Sequence, residues 1–471
     1  MKNKLVYKYI GKVLIAFSAL LMLPMLVSIL NKESVIPFFI PAALSLLIGS
    51  ILSSFKIKNK FLYAKDGFII VALSWIIISI LGALPLWINK DCSLIDSIFE
   101  AVSGLTTTGA TIFREVEHLE KGILFWRAFM HFIGGMGVLA FVMAVVPLAN
   151  NDKSMHVLKA EMPGPSVAKL VPGIKKTLFY LYGIYLALTV TECILLLMGG
   201  LPFFDSLLTS FSTAGTGGFA ILNSSIASYS LFNKYVVAIF MFLFGVNFNI
   251  YFLIIMKDLK AALRSEELKV YILLFVFSVL FIFLNTMNTF TSISQAFSDS
   301  FFHVSSIMTS TGFAVSDINI YPTACRILFL MLMLVSACAG STCGGFKISR
   351  LLILLKTIKR ELLKAIHPNS VRTITFEGKK VEEDTVRSTC LYLLLYVIFI
   401  VVIMFIISFD KVNFSQAVNA TFTTFANVGL CFDISHFADF SILSKIVLSI
   451  GMLLGRLEIL PIMVLFSDLK K

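Results

Sequence analysis

The sequence predicts an all-α integral membrane protein. It reads as four pseudo-repeated units around one axis, preceded by an N-terminal two-helix hairpin. Each unit is a membrane span, a short dipping helix, an extended glycine segment and a return span. Three observations carry this reading. Of 471 residues, 58% are hydrophobic and 14% charged, with mean hydropathy +0.92, far above a soluble globular domain and enough for about ten membrane spans. The segment Thr106-Thr107-Thr108-Gly109-Ala110-Thr111 has relatives in Ala214-Gly215-Thr216-Gly217-Gly218-Phe219, Thr309-Ser310-Thr311-Gly312-Phe313-Ala314 and Ala426-Asn427-Val428-Gly429-Leu430. They recur at intervals of roughly a hundred residues, a self-similarity that fixes an architecture before any other reading. The third observation is where the positive charge falls. The net charge of +12 would suggest nucleic acid in a soluble protein, but here Lys and Arg gather between apolar runs and mark cytoplasmic loops of a lipid-embedded chain. No nucleic-acid partner is expected.

Residues 1–62 form the hairpin. The runs 8–30 and 35–54 are long enough to span and are joined by the polar turn Asn31-Lys32-Glu33-Ser34. Lys2, Lys4, Lys8 and Lys12 precede the first run, and Lys56, Lys58, Lys60 and Lys65 follow the second. Both flanks, and the N-terminus, are therefore assigned to the cytoplasm. No small-residue cleavage site follows the first run, so it reads as a span and not a signal peptide.

The first unit, 63–150, spans from near Gly67 to about Trp87, dips over 96–103 and returns over about 122–148. The dip is too short to cross a bilayer. The second unit, 151–260, spans about 177–200, dips over 203–211 and returns over about 232–256. The third, 261–365, spans about 270–287, dips over 294–306 and begins its return near Pro322. The fourth, 366–471, spans about 389–408, dips over 414–424 and ends in a span over about 441–466. Inner loops carry Lys153, Lys159, Lys169, Lys175 and Lys176, then Lys257, Lys260, Arg264 and Lys269. The stretch 347–387 is the most basic, with Arg350, Lys356, Lys359, Arg360, Lys364, Arg372, Lys379, Lys380 and Arg387. It is a docking surface for a cytoplasmic partner, or simply a face drawn to lipid headgroups. The seven Cys (92, 193, 325, 338, 343, 390 and 431) include no CxxC and read as unpaired.

Each dip ends at a glycine segment, with the negative end of its helix dipole favouring a cation on the axis. An extended segment can line up backbone carbonyl oxygens, and four around one axis can replace a cation's water shell. Gly109, Gly217, Gly312 and Gly429 supply positive φ or close approach. On this reading the dips are pore helices and the segments are the filter of one pore. Asp96, Asp205 and Asp299 sit in the dips, where they would concentrate cations or cap helix ends. His131, on an apolar span, is a proton relay or a packing residue. Gly134-Gly135-Met136-Gly137 suits close helix approach.

The third return span breaks at Ala337-Cys338-Ala339-Gly340-Ser341-Thr342-Cys343-Gly344-Gly345-Phe346-Lys347. Backbone freed at membrane depth must face protein or water. Below the filter this segment is a candidate gate, with a packing kink as the plainer reading. The last span carries Arg456. In the path its charge would oppose cation flow. Otherwise it pairs with Glu458, two residues on and off its face, or with backbone carbonyls.

These residues resemble the Trk/Ktr/HKT superfamily of potassium uptake proteins, and the hairpin and length resemble its bacterial Trk-type membrane subunit. The matches are Thr106-Thr107-Thr108-Gly109-Ala110-Thr111, Phe125-Trp126-Arg127-Ala128-Phe129-Met130-His131 with the following glycine cluster, Pro163-Gly164-Pro165 with Lys169-Leu170-Val171-Pro172, Ala339-Gly340-Ser341-Thr342, His367-Pro368-Asn369 and Gly455-Arg456-Leu457-Glu458. They cover essentially the whole chain. The resemblance implies a gated, channel-like K+ pore in the bacterial cytoplasmic membrane. It also implies a homodimer and a cytoplasmic nucleotide-binding RCK-type regulatory subunit, TrkA, on the inner face. The filter carbonyls it implies are those of Thr107, Thr108 and Gly109; Gly215, Thr216 and Gly217; Ser310, Thr311 and Gly312; and Asn427, Val428 and Gly429. The gating residues it implies are Gly340, Ser341, Thr342, Gly344, Gly345 and Arg456. Two departures stand out. The glycine doublet Gly217-Gly218 leaves the second register open, and Leu430-Cys431 stands where relatives often place Pro-Gly. A serine in place of the first filter glycine goes with sodium permeation in plant relatives, so Gly109 favours potassium.

Two other classes compete. A Na+- or H+-coupled symporter would place acids at midplane in broken helices, and Glu192 and Glu458 are the candidates. A membrane enzyme would need a nucleophile–base or metal constellation, and six scattered His supply none. No Gly-x-x-x-x-Gly-Lys-Ser/Thr loop is present, so no organic cofactor is expected on this chain and any nucleotide belongs to a partner.

Overall fold

The computed structural model describes residues 3–55, 64–145, 174–370, 372–434, 436–457, 459 and 462–464. The loop 149–173, Lys56, Lys58, Lys60, the Pro163-Gly164-Pro165 motif and Glu458 lie outside the described residues.

The hairpin consists of α1 (Asn3–Leu20), α2 (Met22–Leu30) and α3 (Ile36–Ser53). α1 and α2 make one span over Lys4–Leu30. Close approach joins its two arms, since a Cβ added at Gly49 would lie 2.8 Å from the Gly11 carbonyl oxygen. The first unit follows as α4 (Ala64–Ile88), the dipping helix α5 (Leu94–Leu105) and α6 (Lys121–Val145). Glu33, in the hairpin turn, accepts the Lys121 and Gly122 amides, both at 2.8 Å. It supplies α6 with acceptors for otherwise unpaired N-terminal N–H groups, so the hairpin braces the first unit.

The second unit is α7 (Ile174–Met198), dipping α8 (Phe203–Ala214) and a return split into α9 (Leu231–Phe244) and α10 (Phe248–Ile255). The short α11 (Leu259–Arg264) leads into the third unit, which is α12 (Glu266–Thr286), dipping α13 (Ile293–Met308), α14 (Thr323–Val335) and α15 (Ile348–Ile366). A two-residue hairpin, β1 (Thr375–Phe376) against β2 (Lys379–Lys380), precedes the fourth unit. That unit is α16 (Glu383–Ile407), dipping α17 (Phe414–Phe425) and α18 (Ile442–Leu457). Among the described residues, six helices are long and apolar enough to cross a membrane, and the α9–α10 pair counts as a seventh if its bend is taken as one span. Exposed Leu273, Phe277, Leu280 and Leu284 on α12, and Leu394, Val401 and Phe405 on α16, make the lipid-facing stripe such spans require.

The dipping helices α5, α8 and α17 have 12 residues and α13 has 16. At about 1.5 Å rise per residue all fall short of a bilayer. Three start at a side-chain N-cap, Ser93, Ser292 and Asn413, and the last of these forms a capping box with Gln416. The second starts at Pro202, which caps nothing through its side chain.

The loops after the glycine segments tie the units in chain order. Val116 donates to the Asn223 side chain at 2.9 Å, Ile226 to the Ala314 carbonyl at 3.1 Å, and Asp433 to the Asn319 side chain at 3.1 Å. Arg114 pairs with Asp439 and closes the circle. The sequence reads the second return as one span over 232–256. It is instead bent by 91° between α9 and α10. Gly245-Val246-Asn247 makes the break, and the Asn247 side chain caps the new helix by accepting the Asn249 amide at 3.0 Å.

Candidate functional site

The four glycine segments share one backbone form. Thr107, Thr216, Ser310 and Asn427 have φ between 52° and 55°, and Gly109, Gly218, Gly312 and Gly429 have φ between 77° and 86°. Between them, Thr108, Gly217, Thr311 and Val428 each donate back into the dipping helix, to the carbonyls of Ser103, Ser212, Ser306 and Thr423 at 2.8–2.9 Å. This fixes the register. The second triplet is Thr216-Gly217-Gly218, one residue beyond the Gly215-Thr216-Gly217 read from the sequence. The correction has a physical cause. The position two after the first left-handed residue must itself be left-handed, and Gly218, not Gly217, holds it.

The same glycines close a ring. A Cβ added at Gly109 would lie 1.9 Å from the Gly217 oxygen, at Gly218 2.1 Å from Thr311 oxygen, at Gly312 1.9 Å from Val428 oxygen, and at Gly429 2.1 Å from Thr108 oxygen. Each filter-position glycine thus abuts the middle carbonyl of the next unit, in the order one, two, three, four, one. Four copies of one backbone shape, edge to edge around an axis, are what a carbonyl coordination site needs.

A buried, bonded group of side chains stands behind the ring. Glu100 on α5 accepts from the Thr111 hydroxyl (3.0 Å), the Ile112 amide (2.9 Å) and Arg127 Nε (2.9 Å). Arg127 also stacks over Phe219, 4.3 Å from the ring centre. His131, the relay-or-packing candidate, packs. Its Nε2 accepts the Phe219 amide at 3.2 Å, and its ring fills the space a Gly217 side chain would need. Of the acids in the dips, Asp96 takes the Ser93 hydroxyl and Lys445 Nζ at 2.6 Å, so its charge is already paired. Asp299 is buried. Glu192 is fully buried on α7, and Glu458 lies outside the described residues.

The break in the third return lies against the ring's helix-side edge. α14 stops at Ser336 (φ +59°) and α15 starts after Lys347 (φ +78°). The strands of the excursion strap together: Phe346 donates to the Leu334 carbonyl (3.1 Å), Lys347 to Val335 (3.0 Å), and the Ser336 hydroxyl to Gly344 (2.8 Å). The Gly344 amide donates to the Ser310 hydroxyl at 2.9 Å, and a Cβ there would meet Asn427 Cβ at 2.8 Å. Arg456 donates to the Thr342 carbonyl (2.6 Å) and the Gly134 carbonyl (2.7 Å). Backbone carbonyls, one of the kinds of partner considered for it, are thus among its acceptors.

Two elements escaped the sequence reading. The 245–247 break pairs with the 337–347 excursion through Cys338 to Gly245 and Phe248 to Gly340, both at 3.1 Å. Glu267, buried in the first turn of α12, accepts from the Ala339 amide (2.7 Å), the Ser349 amide (3.1 Å) and the Asn247 side chain (3.4 Å). Gly245 and Asn247 in an apolar run were the available signal for the first. Ser265-Glu266-Glu267 carried only the signature of a helix start. Among the described residues no group of three or more His, Cys, Asp or Glu could hold a metal ion. All seven Cys are free thiols.

Comparison with known proteins agrees with this geometry. Residues 37–470 match the family model TrkH, described as a cation transport protein. The chain is 33% identical to the Trk system potassium uptake protein TrkG of Escherichia coli K12, over 96% of this chain and 95% of that one. It is 32% identical to the Trk system potassium uptake protein TrkH of Salmonella typhimurium, over 99% of each. It superposes on the crystal structure of the potassium transporter TrkH from Vibrio parahaemolyticus with TM-score 0.89 and 29% identity, covering 99% of this chain and 98% of that one. The chain is thus a multi-pass membrane protein that belongs to the TrkH family of cation transport proteins, a family of transporters and not of enzymes.

Proposed function

We propose that this chain is the potassium-conducting membrane subunit of a Trk-type uptake system, working as a gated, channel-like pore. K+ is the transported and filter-bound ion. The observation that carries this is the closed ring of glycine contacts, which is consistent with one coordination axis shared by four filter segments. The filter carbonyls are those of Thr107, Thr108 and Gly109; Thr216, Gly217 and Gly218; Ser310, Thr311 and Gly312; and Asn427, Val428 and Gly429. An inside-negative potential pulls a cation inward with about 2.3 kcal/mol per 100 mV, so the chain needs no chemical step of its own. The gate is the excursion containing Gly340, Ser341, Thr342, Gly344 and Gly345. Arg456 pins it by donating to the Thr342 carbonyl on the excursion and the Gly134 carbonyl on α6. The four units serve as pore repeats, with the N-terminus in the cytoplasm. The basic stretch 347–387 faces a cytoplasmic RCK subunit resembling TrkA, and the chain works as a homodimer in the bacterial cytoplasmic membrane.

Uptake of radioactive rubidium into proteoliposomes holding this chain tests the reading, under an imposed inside-negative potential and with excess potassium or sodium. Expected are uptake blocked by potassium, weak block by sodium, and lower selectivity in Gly109→Ser. Uptake that requires a proton or sodium gradient would overturn the channel in favour of a symporter. Equal block by the two ions would overturn the potassium filter.

A further inference from the structure

Repeats one and three, which oppose each other across the ring, hold their filter segments in a way that repeats two and four do not. Three residues before the helix carbonyl that anchors each segment stand Glu100, Thr209, His303 and Ala420. Glu100 accepts the Ile112 amide, three residues past Gly109. His303 Nε2 accepts the Val315 amide at 3.4 Å, three residues past Gly312. The two acceptors are equivalent in position and in target. His303 accepts at Nε2, so its ring is neutral with the proton on Nδ1, which faces the Asp299 carbonyl at 3.0 Å and the Tyr321 hydroxyl at 2.9 Å. Thr209 instead engages the Tyr229 hydroxyl at 3.1 Å, and Ala420 has nothing to offer.

The first segment depends most on its brace. In the other three units a hydroxyl on the dipping helix, from Ser212, Ser306 or Thr423, donates to the carbonyl just after the filter glycine at 2.7–2.9 Å. The equivalent Ser103 hydroxyl is buried and has no hydrogen-bond partner among the described residues. The outer leg of segment one is therefore held through Glu100, and Glu100 is held by Arg127. That side chain also reaches the Ala220 carbonyl beside segment two at 3.4 Å. Both members of the pair are buried, at 0% and 2% exposure, where an ion pair costs desolvation and is kept for geometry more than for stability.

Resting on the filter reading above, we infer that Glu100 and His303 are positioning residues for ion selection. Each fixes the outer leg of its own filter segment, and together they hold the width of the ring across one diagonal. The test is the ratio of potassium to sodium competition against rubidium uptake. The double variant Glu100→Leu/Arg127→Leu removes the first acceptor and leaves no unpaired buried charge, and His303→Leu removes the second acceptor. Both are expected to lower the ratio roughly tenfold while total uptake per folded protein stays measurable. His303→Gln keeps an acceptor and is expected to restore the ratio, and Thr209→Val to leave it unchanged. If the double variant does not fold, Glu100→Asp keeps the charge and withdraws the acceptor by one methylene, with the same fall expected. An unchanged ratio in the folded Glu100 and His303 variants overturns the inference, and a fall in only one of them overturns the paired assignment. Gly109→Ser separates the levels. If it too leaves the ratio unchanged, the filter reading fails beneath the inference. If it alone changes the ratio, only the inference fails.

Discussion

The ring and the excursion beside it are built on opposite plans. The ring uses the same backbone four times. Its tolerances come from neighbours, since each glycine is forced by the carbonyl of the next unit. The 337–347 excursion occurs once. It is held by dissimilar groups from four places: Glu267 on α12, Ser310 in segment three, Arg456 on α18 and the 245–247 break. A repeated structure with mutual contacts has no single part that moves alone. One held by a few separable bonds can be released by breaking them. This difference in construction is what the proposed roles, selection at the ring and gating at the excursion, rest on.

The sharpest break of the ring is Gly312→Ala. Its φ of +86° costs an alanine about 1–2 kcal/mol, and its Cβ would meet the Val428 oxygen at 1.9 Å. Gly200 has the same φ of +86° with nothing within 4 Å, so Gly200→Ala carries the strain without the collision. Rubidium uptake per folded protein is expected to fall at least about tenfold in the first variant and to stay near native in the second. Equal losses would mean that backbone strain, not ring contact, explains these glycines.

The excursion is expected to yield to a smaller change. Glu267→Ala leaves the buried Ala339 and Ser349 amides without acceptors, about 1–3 kcal/mol each. Hydrogen exchange at those two amides should accelerate, and basal uptake should rise several-fold. Glu267→Gln keeps an oxygen there and should lie between the variant and the native chain. Native-like exchange at Ala339 in the alanine variant would remove Glu267 from the latch.

How much of this was legible in the sequence follows the same division. The dips and the recurrence of the glycine segments at the ends of those dips were readable because repetition makes a weak signal strong. Thr-Gly alone is a common turn, but four such segments in one context are not. The second register failed where repetition was locally ambiguous: Gly217-Gly218 offers two glycines, and only the neighbour's carbonyl and φ choose. The excursion was visible as glycines at membrane depth, but its partners were not. Glu267 lies 72 residues from Ala339 in the chain and reads locally as an ordinary helix start. The 245–247 break was hidden because an apolar run with one glycine and three asparagines still averages as a span.

The smallest effect tests the frame that carries Arg456. α18 begins beside Asp410, whose carboxylate accepts the Ser441 amide at 2.9 Å. Burial alone would raise that carboxyl, but hydrogen bonds from Ser441 and Ser444 outweigh it and hold it below the ordinary carboxylate value. A depressed folded-state value means stability that is present above the unfolded carboxylate range, about pH 4, and lost as pH falls through the folded one. Asp410→Asn should therefore lower the thermal midpoint in detergent by no more than about 2 °C near neutral pH, and the gap to the native chain should close on acidification. A gap that persists at low pH would assign the loss to packing. In either case rubidium selectivity should not move, because the bonds of Asp410 go to Ser441 and Ser444 at the far end of the helix, away from the end that carries Arg456 and meets Asn427. A change in selectivity would mean that ring and excursion are mechanically one body, against the contrast in their construction.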